Sequence, residues 1–457
     1  MKKEISRINK IQEEFFNTHK TKAVGFRLDN LKKMKQLILS HQNRLYDALW
    51  ADLHKPAFEA YAGEVGFVLQ ELNLHIRKLK KWSKPKRVRT PLLHFYSTSF
   101  IYPEPYGRVL IFSPWNFPFQ LAFTPLIGAL SAGNCVVLKP SQHTPHTASE
   151  MEEMIHHFDP QYIAFFKGGH EMNQALLEEK YEYIFFTGSS RVGRIILEKA
   201  AGNLTPVSLE LGGKNPCIVH NDAPIALSAK RIAWGKFFNA GQSCVAPDYL
   251  LIHQEIKDAF LEKLIHFIRD FYGENPQLSP DYPRVVNRAN TERLQNLISA
   301  GRIVTGGITN PDEKYIAPTL IDDLHPDDPI MESEVFGPVL PVLTYSCIDE
   351  AIEIINRHPN PLAFYLFTNN RVLQQRLLKE VSFGTATLND AVIHFINSHL
   401  PFGGVGESGM GKYHGKKSFE TFTNYKSILK KTNRFDFPIR YPPYTNRNVN
   451  LLKRLLR

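Results

Sequence analysis

The sequence predicts an α/β protein made of two successive α/β units, and three observations carry that prediction. Short apolar runs alternate with helical stretches from Val109 onward, the series restarts after Gly213, and everything up to Trp82 reads as helix. Strand, helix and strand at this spacing make a parallel sheet with crossover helices. Two such units in succession suggest a cofactor domain and a catalytic domain, with the site in the cleft between them.

Taken in order, Leu28, Leu31, Met34, Leu37, Ile38, Leu45, Leu49 and Leu53 recur at helical spacing, and a second run extends from Phe58 to Trp82. Ser83 to Pro91 breaks that pattern. His94 to Ile101 is aromatic and rich in Ser and Thr, as in an exposed strand. Val109–Phe112, Cys135–Leu138, Tyr162–Phe166 and Tyr183–Phe186 are the strand candidates of the first unit. Cys217–Val219, Tyr249–Ile252, Leu340–Leu343 and Ala363–Phe367 are those of the second. The stretch from Val109 to Leu138 holds no charged residue and is long enough to span a bilayer, but Pro114, Pro118, Pro125, Gly128 and Gly133 interrupt it. It reads as a buried strand, an irregular loop, a short helix and a second strand.

Composition narrows the function. Apolar residues make up 43% of the 457-residue chain and charged residues 22%, an ordinary globular balance. The net charge of +10 is confined: Ile76–Arg108 holds nine Lys/Arg against one Glu, and Lys426–Arg457 nine against one Asp. The rest is mildly acidic, which argues against a nucleic-acid partner read through a basic channel. Cys135, Cys217, Cys244 and Cys347 are too few and too scattered for a disulfide framework or a zinc site, and they fit a reducing, cytoplasmic location. Met1–Lys20 is studded with charge and has no apolar signal-peptide core.

The chemistry centres on Cys244, in Asn239-Ala-Gly-Gln-Ser-Cys-Val-Ala-Pro. A lone cysteine is more often a buried hydrophobe than a nucleophile. Here Gly241 permits a tight turn, Gln242 and Ser243 offer no core packing, and a nucleophile on such a turn can aim its own N–H at a developing oxyanion. Glu210, before a Gly-Gly turn, reads either as a strand-end carboxylate or, between Leu209 and Leu211, as a desolvated general base. Asn116, in a loop bracketed by Pro114 and Pro118, is equally a turn former and a rigid amide donor for an oxyanion hole. Gly188, Ser189 and Gly193 follow a strand and open a helix, the right place for a pyrophosphate, although Gly-Ser-x-x-x-Gly is not the usual dinucleotide fingerprint. Lys139, at the end of another strand, faces either solvent or a ligand at the same sheet edge.

Together these segments resemble the aldehyde dehydrogenase superfamily along nearly the whole chain. The ordered set is SPWNFP, LKPS, FTGSSRVG, LELGGKNP, NAGQSCVAPDY, ESEVFGP and LPFGGVGESGMG. The Cys-Val-Ala-Pro-Asp-Tyr run and the Arg440-Tyr-Pro-Pro-Tyr tail are similar to the class 3 branch, which includes fatty and aromatic aldehyde dehydrogenases and is typically dimeric. The resemblance implies a Rossmann-like NAD(P)-binding domain over 1–82 and 104–210, a catalytic domain over 211–410, a bridging element for subunit pairing from 83–103 with 411–440, and a basic tail over 441–457. It implies attack by Cys244 on an aldehyde, an oxyanion held by Asn116 and the Cys244 N–H, and thioester hydrolysis by water that Glu210 activates. Glu334 matches the glutamate that grips the nicotinamide ribose, with Phe336 packing nearby, and in this branch it is also a candidate base. Lys139 would bind the adenosine ribose beside Ser141, and Gly188 with Ser189 would lie beside the pyrophosphate of NAD. One position departs from the family: Gln142 stands where Glu is frequent, removing a carboxylate that would repel a 2′-phosphate, so NADP is expected to be tolerated.

Aromatic residues near the motifs (Trp115, Phe117, Phe119, Phe395, Phe402) suggest an apolar pocket for medium- or long-chain or aromatic aldehydes, against a plain reading as core. An acyl-thioester reductase would share Cys244 but need no water-activating carboxylate, and a non-catalytic binding protein would need none of the set. The terminal Leu451-Leu-Lys-Arg-Leu-Leu-Arg pairs leucines with cations, as in a short amphipathic helix able to touch anionic lipid or simply to pack or solvate at a dimer edge.

Overall fold

The computed structural model describes residues 1–434 and 436–456. Its N-terminal helices are Lys2–Asn17, Val24–Leu53 and Gly66–Trp82, the last preceded by a turn of π-helix at Tyr61–Val65. The apolar stripe of Val24–Leu53 is buried through Leu31, Met34, Ile38, Leu45, Leu49 and Leu53. It packs on the helices Gln120–Ala132 and Pro145–Ile155, so the stripe found in the sequence is buried against helices that themselves pack on the first sheet.

That sheet has six strands in the order Ile163–Phe165, Cys135–Lys139, Arg108–Phe112, Tyr183–Thr187, Val207–Glu210, Gly409–Met410. The first five run parallel and the last is antiparallel to Val207–Glu210. The apolar strands Arg108–Phe112, Cys135–Lys139 and Tyr183–Thr187 are buried along their whole length, as parallel strands covered on both faces should be. The chain winds outward from Arg108–Phe112 to Ile163–Phe165, then returns to the other flank of Arg108–Phe112 with Tyr183–Thr187. This reversal opens a crevice at the carboxyl ends of those two strands, where a doubly wound sheet binds its ligand.

The second sheet has seven strands in the order Arg302–Thr305, Thr319–Asp322, Val339–Tyr345, Tyr249–His253, Pro216–Val219, Ala363–Phe367, Thr385–Leu388. Only its first pair is antiparallel. All eight strands named from the sequence are present. Those it did not single out, such as Val207–Glu210 and Thr385–Leu388, are short and mix polar with apolar residues.

A third, three-stranded sheet places Ser97–Pro105 between Lys86–Val88 and Thr423–Lys431, both antiparallel to it. The strand expected from His94 begins at Ser97 instead, because Leu92–His94 forms a 3-10 turn and Tyr96 takes a left-handed φ of 60°. Lys426 on this sheet pairs with Glu104 at 2.7 Å. The C-terminal helix, Asn446–Leu455, starts from Thr445, whose hydroxyl accepts from the Asn448 N–H at 3.2 Å. It contains most of the expected amphipathic segment; Arg457 lies outside the described residues. No helix among the described residues is long and apolar enough to cross a membrane.

Candidate active site

Three loops meet at the crevice. The loop after Arg108–Phe112 carries Asn116, which is buried and whose Nδ2 donates to the Gln242 carbonyl at 3.2 Å. The turn bearing Cys244 comes from the second unit. Asn239, Ala240 and Gly241 there adopt successive left-handed conformations with φ of 53°, 51° and 70°. A Cβ on Gly241 would sit 2.3 Å from the Gly337 carbonyl, so glycine is required. Such strained backbone persists only where its surroundings fix it.

The fixing is done by residues that sequence reasoning misjudged or left unassigned. Gln242, read as offering no core packing, is fully buried. Its Nε2 donates to the carbonyls of Asn239 and Arg284 (3.1 and 2.9 Å) and its Oε1 accepts from the Val286 N–H at 2.9 Å. A side-chain amide satisfies stranded backbone groups that an apolar residue could not, and periodicity does not reveal it. Asn215, inside the LELGGKNP segment, donates from Nδ2 to the carbonyls of Cys244 (2.7 Å) and Ala246 (3.0 Å).

The half-buried Cys244 lines two cavities at once. On one side is a cleft of about 640 Å³ that also takes in Asn116, Glu210, Glu334, Gly188, Ser189 and Phe336. On the other is an apolar pocket walled by Phe117, Leu121, Val392, Phe395 and Phe402, with Gln120, Ser243, Tyr413 and His414 among its polar members. Phe117, Phe395 and Phe402 are thus where the apolar-pocket reading expected them. Trp115 faces the cleft instead, its ring 5.3 Å from that of Phe336 and edge-on to it. Phe119 is core, fully buried and packed on the Phe123 ring. A proline-bracketed loop turns alternate side chains in different directions, which the sequence did not resolve.

Burial raises the Cys244 thiol well above its ordinary range, and the nearby Glu334 and Glu210 raise it further, so the resting sulfur carries its proton. Burial likewise pushes Glu210 well above the usual carboxylate range, with Lys412 opposing the shift. Both Glu210 carboxylate oxygens are buried without a hydrogen-bond partner among the described residues. Burial, reinforced by Asp248, raises Glu334 to about 8, while the Gly213 N–H holds it back. Glu334 lies so close on the Gly-Gly turn that a Cβ on Gly212 would meet its Oε2 at 1.9 Å.

The remaining candidates mark out the sheet edge. Gly188 donates its N–H to the Glu210 carbonyl at 3.0 Å, and a Cβ there would strike the Phe186 ring. Ser189 precedes the helix Ser190–Ala201, whose Gly193 is packed against Leu211. Lys139 is buried at the end of its strand, its Nζ 2.8 Å from the Pro140 carbonyl and its pKa lowered to about 8 by burial. Ser141 accepts from the His143 N–H at 3.2 Å, and Gln142 lies exposed against Gly169. Lys139, Ser141 and Gln142 stand outside the lining of the Cys244 cleft.

The comparisons with known proteins agree with this arrangement. The model of the aldehyde dehydrogenase family matches residues 1–428. The chain belongs to the aldehyde dehydrogenase family. It is 48% identical over 433 residues to the 4,4'-diaponeurosporen-aldehyde dehydrogenase of Staphylococcus aureus, covering 94% of each chain. It is 43% identical over 446 residues to human aldehyde dehydrogenase family 3 member B1, covering 96% and 94%. Among solved structures, the substrate-bound state of Staphylococcus aureus AldH superposes with a TM-score of 0.97 at 46% identity, covering 99% of both chains. Betaine aldehyde dehydrogenase from Staphylococcus aureus in complex with NAD+ gives 0.85 at 26%, covering 95% and 89%. This aldehyde dehydrogenase is therefore a class 3-like, NAD-dependent oxidoreductase that converts aldehydes to acids.

Proposed function

We propose that Cys244 is the nucleophile and that it oxidises medium- or long-chain aliphatic, or aromatic, aldehydes. The observation that carries this reading is the place of Cys244 on the wall shared by a polar cleft and an aromatic-lined pocket. The name of the diaponeurosporen-aldehyde relative points the same way, towards an extended apolar substrate.

The cleft suits a dinucleotide. It lies at the carboxyl ends of the strands, its wall includes Gly188 and Ser189 before a helix N-terminus, and Glu334 offers a buried, unpartnered Oε1. Gly188 and Ser189 would lie by the pyrophosphate, with Gly193 allowing the helix its close approach. Lys139 and Ser141 would meet the adenosine ribose, Gln142 would leave room for NADP, and Glu334 with Phe336 would hold the nicotinamide end. NAD+, when bound, supplies the acceptor for the hydride that leaves the thiohemiacetal carbon.

The chain's own residues do the rest. Attack needs the Sγ proton removed, and Glu210, with two unpartnered oxygens and a raised proton affinity, takes it. The Asn116 amide and the Cys244 N–H stabilise the oxyanion formed as sulfur adds to the carbonyl. After the thioester forms, Glu210 releases that first proton to solvent; it then removes a proton from water as the water oxygen attacks the acyl carbon, the C–S bond breaks, the proton returns from Glu210 to Sγ and the acid departs. Glu334, held by the Gly213 N–H, is left to orient the cofactor. The experiment is NADH formation from an aldehyde panel by wild type and Cys244→Ser. Octanal outperforming glycolaldehyde and loss of turnover in the variant are expected; undiminished turnover in Cys244→Ser would overturn the reading.

The three-stranded sheet ends in a nine-residue edge strand, Thr423–Lys431, paired on one side only among the described residues. An open edge of that length favours pairing with a second subunit, so a cytoplasmic homodimer is the proposed state. The helix Asn446–Leu455, with Val449 and Leu451 exposed beside Lys453 and Arg454, supports weak contact with anionic lipid.

A further inference from the structure

The N-terminal helices contribute a charge pair that no step above uses. Lys55 and Glu64 are both completely buried, with Nζ 2.6 Å from Oε1. Desolvation offsets the attraction of such a pair, so stability alone is a poor account of it. What the two groups hold is more informative. Lys55 Nζ also donates to the Asn116 backbone carbonyl at 3.1 Å and lies 4.3 Å from the centre of the Phe117 ring. The second Glu64 oxygen accepts from the N–H groups of Phe119 (3.1 Å) and Gln120 (2.8 Å). The pair therefore grips the chain directly after the Asn116 side chain, from the Asn116 carbonyl to the start of the next helix. Glu64 itself is set by the π-helical turn Tyr61–Val65, an irregularity that is frequent near functional sites.

The same carbonyl receives a second donor. Asn239 Nδ2 reaches the Asn116 oxygen at 2.9 Å and the Gln242 oxygen at 3.0 Å. Glu59, on the short helix Ala57–Ala60 that follows Lys55, accepts from the Asn239 N–H at 2.9 Å. The loop with Asn116 and the turn leading to Cys244 are thus locked to one buried polar cluster on the N-terminal helices.

We propose that the buried Lys55–Glu64 pair is a positioning device for the Asn116 amide, fixing the oxyanion donor relative to Cys244. This rests on the reading of Asn116 as that donor, and the test separates the two. Lys55→Met/Glu64→Gln is neutral and keeps an acceptor for both backbone N–H groups. Its hydride-transfer burst should fall about thirtyfold to a hundredfold, the scale of a 1 Å misplacement at a reacting centre, with NAD+ affinity unchanged. Adding Asn116→Ala should then cost nothing further, because both changes act on one donor. A double variant with a wild-type burst, or losses that multiply independently with Asn116→Ala, would overturn the proposal. A wild-type burst in Asn116→Ala alone would instead overturn the reading of Asn116. Should the neutral pair not fold, Lys55→Arg keeps the charges but changes the donor geometry; a similar loss of burst supports the proposal and full activity overturns it.

Discussion

Asn215 holds Cys244 by its backbone: the buried amide donates to the Cys244 carbonyl at 2.7 Å, while its Oδ1 accepts from the Ala363 N–H at 2.8 Å. The nucleophile's peptide is thereby tied to a strand of its own sheet. Asn215→Leu strands these backbone groups in the interior, at a cost of about 3 kcal/mol or more. Chemical denaturation should show that loss, and the first-turnover burst should fall by about tenfold or more because Sγ is no longer held in place.

The roles proposed for Glu210 as base and Glu334 as cofactor ligand can be separated by kinetics. Glu210→Gln should slow steady-state turnover by about a hundredfold or more. Because the same carboxylate is proposed to take the Sγ proton, the early NADH burst should slow with it, and acid-quenched protein should carry little acyl group. Glu334→Gln should chiefly raise the KM for NAD+, by about tenfold.

The raised Glu334 also predicts a pH effect on cofactor affinity. With its carboxyl near 8, the acceptor form is present above that pH and is lost as the solution is made more acidic. Titrations of NAD+ from about pH 9 to pH 6 should show affinity weakening by about tenfold, and the trend should flatten in Glu334→Gln.

Two buried histidines make the fold acid-sensitive. Burial lowers His394 and His414 from 6.5 to about 4. The unfolded chain therefore binds protons first: stability is complete above about 6.5 and declines as pH falls towards 4, by up to ~3 kcal/mol for each ring. His414 stacks on Phe402 with centroids 4.9 Å apart. His414→Phe should retain the stack and remove its share of the decline in urea melts between about pH 7 and pH 5.

The parts of the molecule that could be read from the sequence are those fixed by local chemistry. Strands such as Val109–Phe112 and Cys135–Leu138 announce themselves because both faces are buried. Asn116 and Gly188 could be proposed because each follows such a strand, where an open sheet exposes its ligand edge, and Glu210 because Leu209 and Leu211 flank it. Lys55 and Glu64 left no such signal, since their contacts to the Asn116 loop cross 61 and about as many residues of sequence and obey no period. Gln242 was misread for a related reason: composition marks a polar residue as exposed, while a strained turn buries it to satisfy backbone groups.

The two-sided setting of Cys244 governs molecular traffic. On the proposed reading, an oily aldehyde in the aromatic pocket and a dinucleotide in the cleft would meet the sulfur from separate sides, so neither would have to vacate the other's place. An inert hydrocarbon lodged among Phe117, Phe395 and Phe402 would starve the reaction of aldehyde while the dinucleotide berth stayed open. On the same reading, the reduced coenzyme would leave from the cleft side while the acyl chain stays tethered in the pocket, and that vacated side would admit water.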